Sequence, residues 1–488
     1  MTDTLWFFVF IQMAMGGSDT LYHHEGTQRL AWRPSQKTEL RLHGWRNLAY
    51  AVLFATLGWS EPRGFFAMAL IALMAGELVI TLWDFVEEDR SRHLPATERV
   101  LHTLLTLNYG VILALLVPWL ARLSAMPTAL VPVSYGWISL FCALAAVGVI
   151  VSGLRDLAAA RRCDRLVRPD PAWLCADLAG RQTVLVTGGT GFIGQRLVAA
   201  LGAAGHELIV LTRDKAKTRG MAEDAPIRIV THLDEIADDA QIDAIVNLAG
   251  EPISDSPWTR AKRQRILRSR LTVTREVVGL IARLQHKPVL VSGSAIGWYG
   301  LRGDEALTEA GDARPCFSHE ICQRWERAAL KAQALGARTV LLRTGLVLDR
   351  DGGMLARLLT PFEFGLSGRF GTGRHWMSWI HRDDMVRLIV HAIATVEISG
   401  PYNATAPHPV TNRDFTSAVA RALHRPALIP IPAWPLRLML GDFAHELLLS
   451  GQRVLPEAAL SSGFRFRYAT VDAALAEIVG NAPDEVRP

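Results

Sequence analysis

The sequence predicts two unlike folds in one chain: an all-α transmembrane bundle, then an α/β doubly wound parallel sheet with a small C-terminal lobe. Three observations predict this. Long apolar runs dominate before residue 155, strand and helix patterns alternate after residue 180, and a glycine-rich turn joins the first such strand to the first such helix. The chain has 488 residues, 50% of them apolar, which is more than one hydrophobic core accommodates. The formal charge of +5 is modest, and no Lys/Arg run interleaves with aromatics, so no nucleic-acid partner is expected. Five cysteines, odd in number and without a C-x-x-C, suggest neither a disulfide framework nor a zinc site and fit a reducing compartment.

In the first part, apolar segments run from Leu5 to Gly17, Leu48 to Trp59, Phe65 to Trp83, Leu101 to Leu120 and Val133 to Leu154. The last three are long enough to span a bilayer core, which takes about 20 residues; the first two reach spanning length only with flanking polar residues such as Asp19 or Arg46 at the interface. Five spans are expected, with four as the alternative. A cleaved signal peptide does not fit the first segment, which lacks a basic start and an A-x-A-like site.

Lys and Arg set the orientation. Arg29, Arg33, Lys37, Arg41 and Arg46 follow the first segment, Arg90, Arg92 and Arg99 the third, and Arg155, Arg161, Arg162, Arg165 and Arg168 the fifth. Only Arg63 and Arg122 lie in the intervening loops. This alternation implies an inner-membrane protein with its N-terminus outside and its C-terminal part in the cytosol.

The same topology gathers polar residues at the cytosolic helix ends: Asp19, His23, His24 and Glu25, then His43, then Asp84 with Glu87, Glu88 and Asp89, then Glu98 and His102. Asp19/His23, Asp84/Glu88 and Glu98/His102 are spaced i, i+4, and Glu77/Asp84 i, i+7, so each pair shares a helix face. One reading is interfacial charge salt-bridged to nearby arginines. The other is a transition-metal site built from His23, His43, Glu77, Asp84, Glu98 and His102, favoured by Glu77, because an ionisable group deep in a span is costly and usually functional.

From Gln182 the sequence reads QTVLVTGGTGFIGQRLVAALGAAGHELIVLTRD. Thr183 to Val186 is expected as a strand, a helix follows to about Ala204, and Glu207 to Thr212 is a second strand. Gly188, Gly191 and Gly194 then serve a tight turn, close approach to a pyrophosphate, and helix–strand packing, with free N–H groups at the helix start facing phosphate. This is the Rossmann-type arrangement. Arg213, followed by Lys215, stands where an NAD binder offers a carboxylate, so NADP(H) is preferred over NAD(H), with adjacent Asp214 tempering that preference. Further strands are expected at Ala244–Leu248, Val289–Ser292 and Thr339–Leu342. Their carboxyl ends offer Asn247, Ser292, Ser294 and Arg343 as site candidates. The expected boundaries are 1–155 for the bundle, 156–180 for a linker, 181–400 for the dinucleotide-binding domain and 401–488 for the substrate lobe.

The ordered motifs TGGTGFIG, NLAG, SGSAIGWYG, LRTGLVL, WIHRDDM and PYNATAP resemble an extended or atypical short-chain dehydrogenase/reductase of the NAD-dependent epimerase/dehydratase superfamily. GGML, WMSWIHRDD, NATAP and LPEAALSSGFRF are similar to a poorly characterised epimerase-family subgroup. The resemblance covers about residues 182 to 478. It implies that Gly188, Gly191, Phe192, Ile193 and Gly194 line the pyrophosphate, Arg213 the adenosine end, and Leu248, Ala249 and Gly250 the middle of the cofactor, with Arg343 a further binding candidate. It also implies that Ser294 is the active-site serine, whose hydroxyl meets a substrate carbonyl.

The family's tyrosine and, four residues later, its lysine fall here at Ser318 and Cys322, counted back from Glu326; a register shifted by one gives His319 and Gln323. None of these reproduces a phenol tuned by a lysine. Tyr299 is the nearest substitute phenol, and His381 a further acid/base candidate; a structural tyrosine and a helix-capping histidine are their alternatives. The expected function is a membrane-tethered NADP(H)-dependent oxidoreductase or epimerase-like enzyme acting on a lipid-soluble or small carbonyl/alcohol substrate. The alternatives are a non-catalytic NADP(H) sensor or scaffold, and an NADPH-fed membrane metal redox centre. Residues 415 to 466, punctuated by Pro430, Pro432 and Pro435, are expected to close over the substrate or touch the membrane.

Overall fold

A computed structural model describes residues 2–92, 94–168, 170–218, 221 and 226–482, in two compact units, 1–167 and 168–488. The first unit is helical: α1 (Asp3–Asp19), α2 (Lys37–Trp59), α3 (Phe65–Ser91), α4 (Ala96–Ser124) and α5 (Trp137–Arg165). Strands β1 (Ser60–Arg63) and β2 (Ala129–Pro132) pair antiparallel at one end. All five expected segments form helices, and α3, α4 and α5 are long and apolar enough to cross a membrane. On α5, Leu140, Leu144, Val147, Val151 and Leu154 are exposed as one stripe at helical spacing. Its buried face carries small residues, among them Ser139, Cys142, Ala146 and Gly153, which bring α2 close at Gly44 and Gly58. A sequence that buries small residues and exposes Leu and Val inverts the soluble pattern.

α5 runs on to Arg165, so residues 156–165 belong to a helix rather than to the expected linker. The short turn Pro171–Cys175 then packs Leu174 and Cys175 into the core of the second unit.

That core surrounds a seven-stranded parallel sheet: β3 (Thr183–Thr187), β4 (Glu207–Leu211), β5 (Ile227–Val230), β6 (Ala244–Asn247), β7 (Val289–Ala295), β8 (Thr339–Thr344) and β9 (Gly400–Ala404). Its order is β9-β8-β7-β6-β3-β4-β5. Helices cover both faces, so the strands are apolar on both. Val184, Val186, Val291 and Leu342 face one layer with α6 (Phe192–Ala203), while Leu185, Ile245, Leu290 and Leu341 face the other with α7 (Arg260–Arg283). Chain order reverses between β3 and β6, and ligands of such sheets bind outside the carboxyl ends there. β9 lies within the sheet, so the expected boundary at 400 cuts through it.

Candidate cofactor and substrate site

The turn after β3 is shaped for close backbone approach. Gly188 has φ +72°, and a Cβ on it would lie 2.8 Å from Ala249 N, where the loop after β6 passes. A Cβ on Gly194 would stand 2.2 Å from Gly188 O. No side chain caps the start of α6. Its first N–H groups are therefore free for an anion, and the expected glycine roles fit this geometry.

From this turn a cavity of about 530 Å³ extends across the sheet. Gly188, Gly191, Phe192, Ile193, Gly194, Leu248 and Gly250 line it, and so do Ser294, Ser318 and Cys322. Much of its wall is apolar, including Phe192, Ile253, Ile321, Leu346, Met354 and Leu447. Glycine cradle and serine thus open into one space. Ala249 is not in the lining, although its N–H reaches Thr187 Oγ1 at 3.3 Å. Arg213 is exposed just beyond β4.

The helix α8 (Phe317–Ala329) explains why the two substituted slots sit beside the serine. Ser318, Cys322 and Glu326 recur every four residues and share one face. Ser294, near the end of β7, donates to Glu326 Oε1 at 2.7 Å. Arg343 on β8 clamps the same carboxylate with Nε at 2.9 Å and Nη2 at 3.1 Å. Cys322 is walled in, and burial pushes its thiol up to about 12, with the Glu326 charge adding to the effect. Ser318 donates to Glu446 Oε2 at 2.6 Å, and Glu446 also accepts from the Phe317 and Ser318 N–H groups.

Three candidates lie elsewhere than the sequence suggests. Tyr299 is 0% exposed and outside the cavity lining; its hydroxyl donates to Asn403 Oδ1 at 2.7 Å and accepts from Arg343 at 3.2 Å. Burial raises that phenol above its ordinary value, against the opposing pull of Arg343. Arg343 itself is spent on Glu326 and stacks on Trp298 at 3.6 Å, so it acts from behind the cavity wall rather than on a cofactor. His381 caps the helix α9 (Arg382–Ala394), accepting the Asp383 N–H at 3.1 Å and pairing with Glu477 at 2.9 Å. The helix-capping alternative describes its contacts.

Sequence reasoning used Glu326 only as a register mark and missed Glu446 and His375, which line the cavity or back its serine. Glu446 falls inside the stretch expected to close over the substrate, and that stretch lines the cavity with Glu446, Leu447, Leu448, Ser450, Gly451 and Gln452.

The profile of the NAD dependent epimerase/dehydratase family matches residues 184–405, and a domain of unknown function (DUF1731) matches residues 431–478. The epimerase family protein YfhF of Bacillus subtilis is 38% identical over 304 residues, 61% of this chain and 98% of that protein. The chain belongs to the NAD-dependent epimerase/dehydratase family. Two solved members of similar fold are human epimerase family protein SDR39U1 with NADPH and a nucleoside-diphosphate sugar epimerase from Corynebacterium glutamicum. The human protein is 31% identical with a TM-score of 0.55, the match covering 61% of this chain and 99% of that one. The bacterial one is 32% identical with a TM-score of 0.51, the match covering 67% of this chain and 64% of that one. In this epimerase-family chain the glycine turn, the switch point and the serine strand all belong to the matched segment.

In the first unit the expected metal residues divide. Glu98 and His102 join Asp19 and His24, and His43 joins His24, Glu39 and Glu88, in two compact groups. His23, Glu77 and Asp84 stand outside both groups. His23 commits one ring nitrogen to Asp19 at 2.8 Å and the other to Thr97 at 3.2 Å. Glu77 accepts from Tyr50 at 2.6 Å and Thr81 at 2.8 Å, and Asp84 takes Arg46 at 2.8 Å.

Proposed function

We propose that the chain is a membrane-tethered, NADP(H)-dependent oxidoreductase or epimerase-like enzyme acting on a small, largely apolar carbonyl or alcohol. The observation that carries this reading is the single cavity joining the glycine turn to Ser294. Its volume suits a small-molecule site and its mostly apolar wall suits an apolar substrate. NADP(H) is favoured by exposed Arg213 at the end of β4 and by the human relative solved with NADPH. The tether is supported by three helices of spanning length and by the outward apolar stripe on α5. The Lys/Arg alternation supports a cytosolic second unit.

A nicotinamide nucleotide, when bound, supplies or accepts hydride. The chain's own residues handle the proton. A carboxylate only accepts, so Ser294 donates to Glu326 and turns its lone pairs toward the cavity. There it receives the hydrogen of a substrate hydroxyl while its own proton passes to Glu326; carbonyl reduction runs the same transfer backwards. Ser294 and Glu326 thus take the place of the missing tyrosine and lysine, with Arg343 positioning Glu326.

The test is NADPH oxidation by the full-length protein in detergent, against lipid extracts and small carbonyls. Ser294→Ala and Glu326→Gln are expected to lower kcat by about 10²-fold or more, the range of general acid–base catalysis, while Tyr299→Phe keeps most activity. Equal activity in Ser294→Ala and wild type overturns the assignment. Tight NADPH binding without turnover against any of these substrates favours the sensor reading.

A further inference from the structure

One end of the first unit holds a buried polar chamber built from that unit's residues alone. The end of α1 and the wide π-type turn after it bring in Asp19 and His24; the first turns of α2 bring Glu39 and His43; the last turns of α3 bring Asp84 and Glu88; and α4 opens with Glu98 and His102. Except for His102, none of these is more than 6% exposed. Among the described residues, two guanidiniums reach four of the five carboxylates, Asp19 being the exception. Arg92 pairs with Glu39 at 2.9 Å, Glu98 at 2.7 Å and, more loosely, Glu88 at 3.6 Å, and Arg46 with Asp84 at 2.8 Å. With the imidazoles in the neutral form in which they ligate metals, three negative charges remain, excluded from water, and a bound cation would offset them.

The spacing of the donor atoms shows where a cation would sit. One ligand atom from each of Asp19, His24, Glu98 and His102 lies within 4.8 Å of the others, and the same holds for His24, Glu39, His43 and Glu88. His24 Nε2 stands 3.3 Å from Asp19 Oδ2 and 3.8 Å from Glu98 Oε1; His102 Nδ1 stands 3.2 Å from Glu88 Oε2; His43 Nε2 stands 3.0 Å from Asp84 Oδ2. Yet these three nitrogens, with Glu88 Oε1, make no hydrogen bond. Buried donors and acceptors that approach so closely without sharing a proton are arranged as ligands are. Two atoms each about 2.1 Å from one ion stand about 3.0 Å apart at right angles and about 3.4 Å apart at the tetrahedral angle.

We propose that this chamber binds a divalent first-row transition ion through His24, His102, Asp19 and Glu98, with Glu39, His43 and Glu88 forming the adjoining half around the same His24. Imidazole and carboxylate donors without thiolate select the iron(II), manganese(II) and zinc(II) class over copper(I) or calcium. Arg92, held by Glu39 and Glu98, is a positioning residue that offsets part of the ligand charge.

The test uses full-length protein in mild detergent, purified without chelator, analysed for metals by mass spectrometry, then stripped and titrated with Co²⁺ while visible absorption is followed. Stoichiometric metal and a Co²⁺ ligand-field band are expected. Both are lost in His24→Gln and His102→Gln and kept in Glu77→Gln, whose carboxylate lies outside both groups. Stripping lowers the melting temperature, and the ion restores it. Substoichiometric metal after expression in supplemented medium, together with no Co²⁺ band from wild type, overturns the proposal. So does metal content unchanged in His24→Gln. If the histidine variants fail to fold, the wild-type titration decides alone.

Discussion

Gly194→Ala separates the glycine turn's role in binding from its role in folding. Gly194 is the third residue of α6, and in a helix alanine is favoured over glycine by about 1 kcal/mol, so propensity alone predicts a more stable protein. The added Cβ, however, meets backbone only: Gly188 O at 2.2 Å, Gly189 Cα at 2.8 Å and Gly188 C at 2.9 Å. Carbon and oxygen settle at about 3.3 Å, so the turn must retreat by about 1 Å. A retreat of that size takes the turn's N–H groups away from a pyrophosphate. Each hydrogen bond to a charged group is worth about 1.5–3 kcal/mol, so losing two weakens NADPH binding by roughly 10²- to 10⁴-fold. Calorimetry of the full-length protein in detergent reads the affinity, and a thermal melt shows that the fold persists. An affinity within about threefold of wild type would refute the placement of the cofactor against this turn.

Arg343→Met leaves the Glu326 carboxylate buried beside Ser294 without its clamp and is expected to cost about 3–5 kcal/mol in urea unfolding, most of it recovered in the Arg343→Met/Glu326→Leu double variant. A single variant as stable as wild type would show that the pair is not desolvated. Arg213→Ala should weaken NADPH by about tenfold or more, the value of a lost charge-assisted contact, and leave NADH unchanged; parallel calorimetry with the two nucleotides checks this. The His381–Glu477 pair makes stability depend on pH. Burial opposes the Glu477 charge, but the hydrogen bond from His381 and the nearby Arg168 hold its carboxyl below the ordinary value. That contribution is present above about pH 4.3 and lost as pH falls through the folded value. The melting-temperature advantage over Glu477→Gln should therefore shrink on acidification below about pH 4.3. An advantage that stays constant from acid to alkaline pH would be the contrary result.

Much of the sheet was legible because its signals are local. Strands buried on both faces read as apolar runs, so β3, β4, β6, β7 and β8 were expected within a few residues of where they lie. β9 was not. Gly400, Pro401 and Asn403 are poor strand formers, and pairing with β8 holds that segment extended. In the first unit, five spans are expected from sequence, but among the described residues only α3, α4 and α5 are long and apolar enough to cross a membrane; the apolar runs of α1 and α2 are too short without flanking polar residues.

Sequence by itself determined the glycine turn between β3 and α6, since three glycines between a strand and a helix carry their reason in their spacing, and it determined the hydrophobic pattern of each half. Tertiary structure decided which polar groups meet. Ser294 and Glu326 are 32 residues apart, and packing of α8 on the sheet joins them; Asn403 on β9 and Arg343 on β8 hold Tyr299 behind the wall. Of two neighbouring histidines, the π-type turn lets His24 reach the chamber while His23 is tied to Asp19 and Thr97. Helical periodicity places side chains on a face, but only the completed packing of several helices selects the neighbours that face meets.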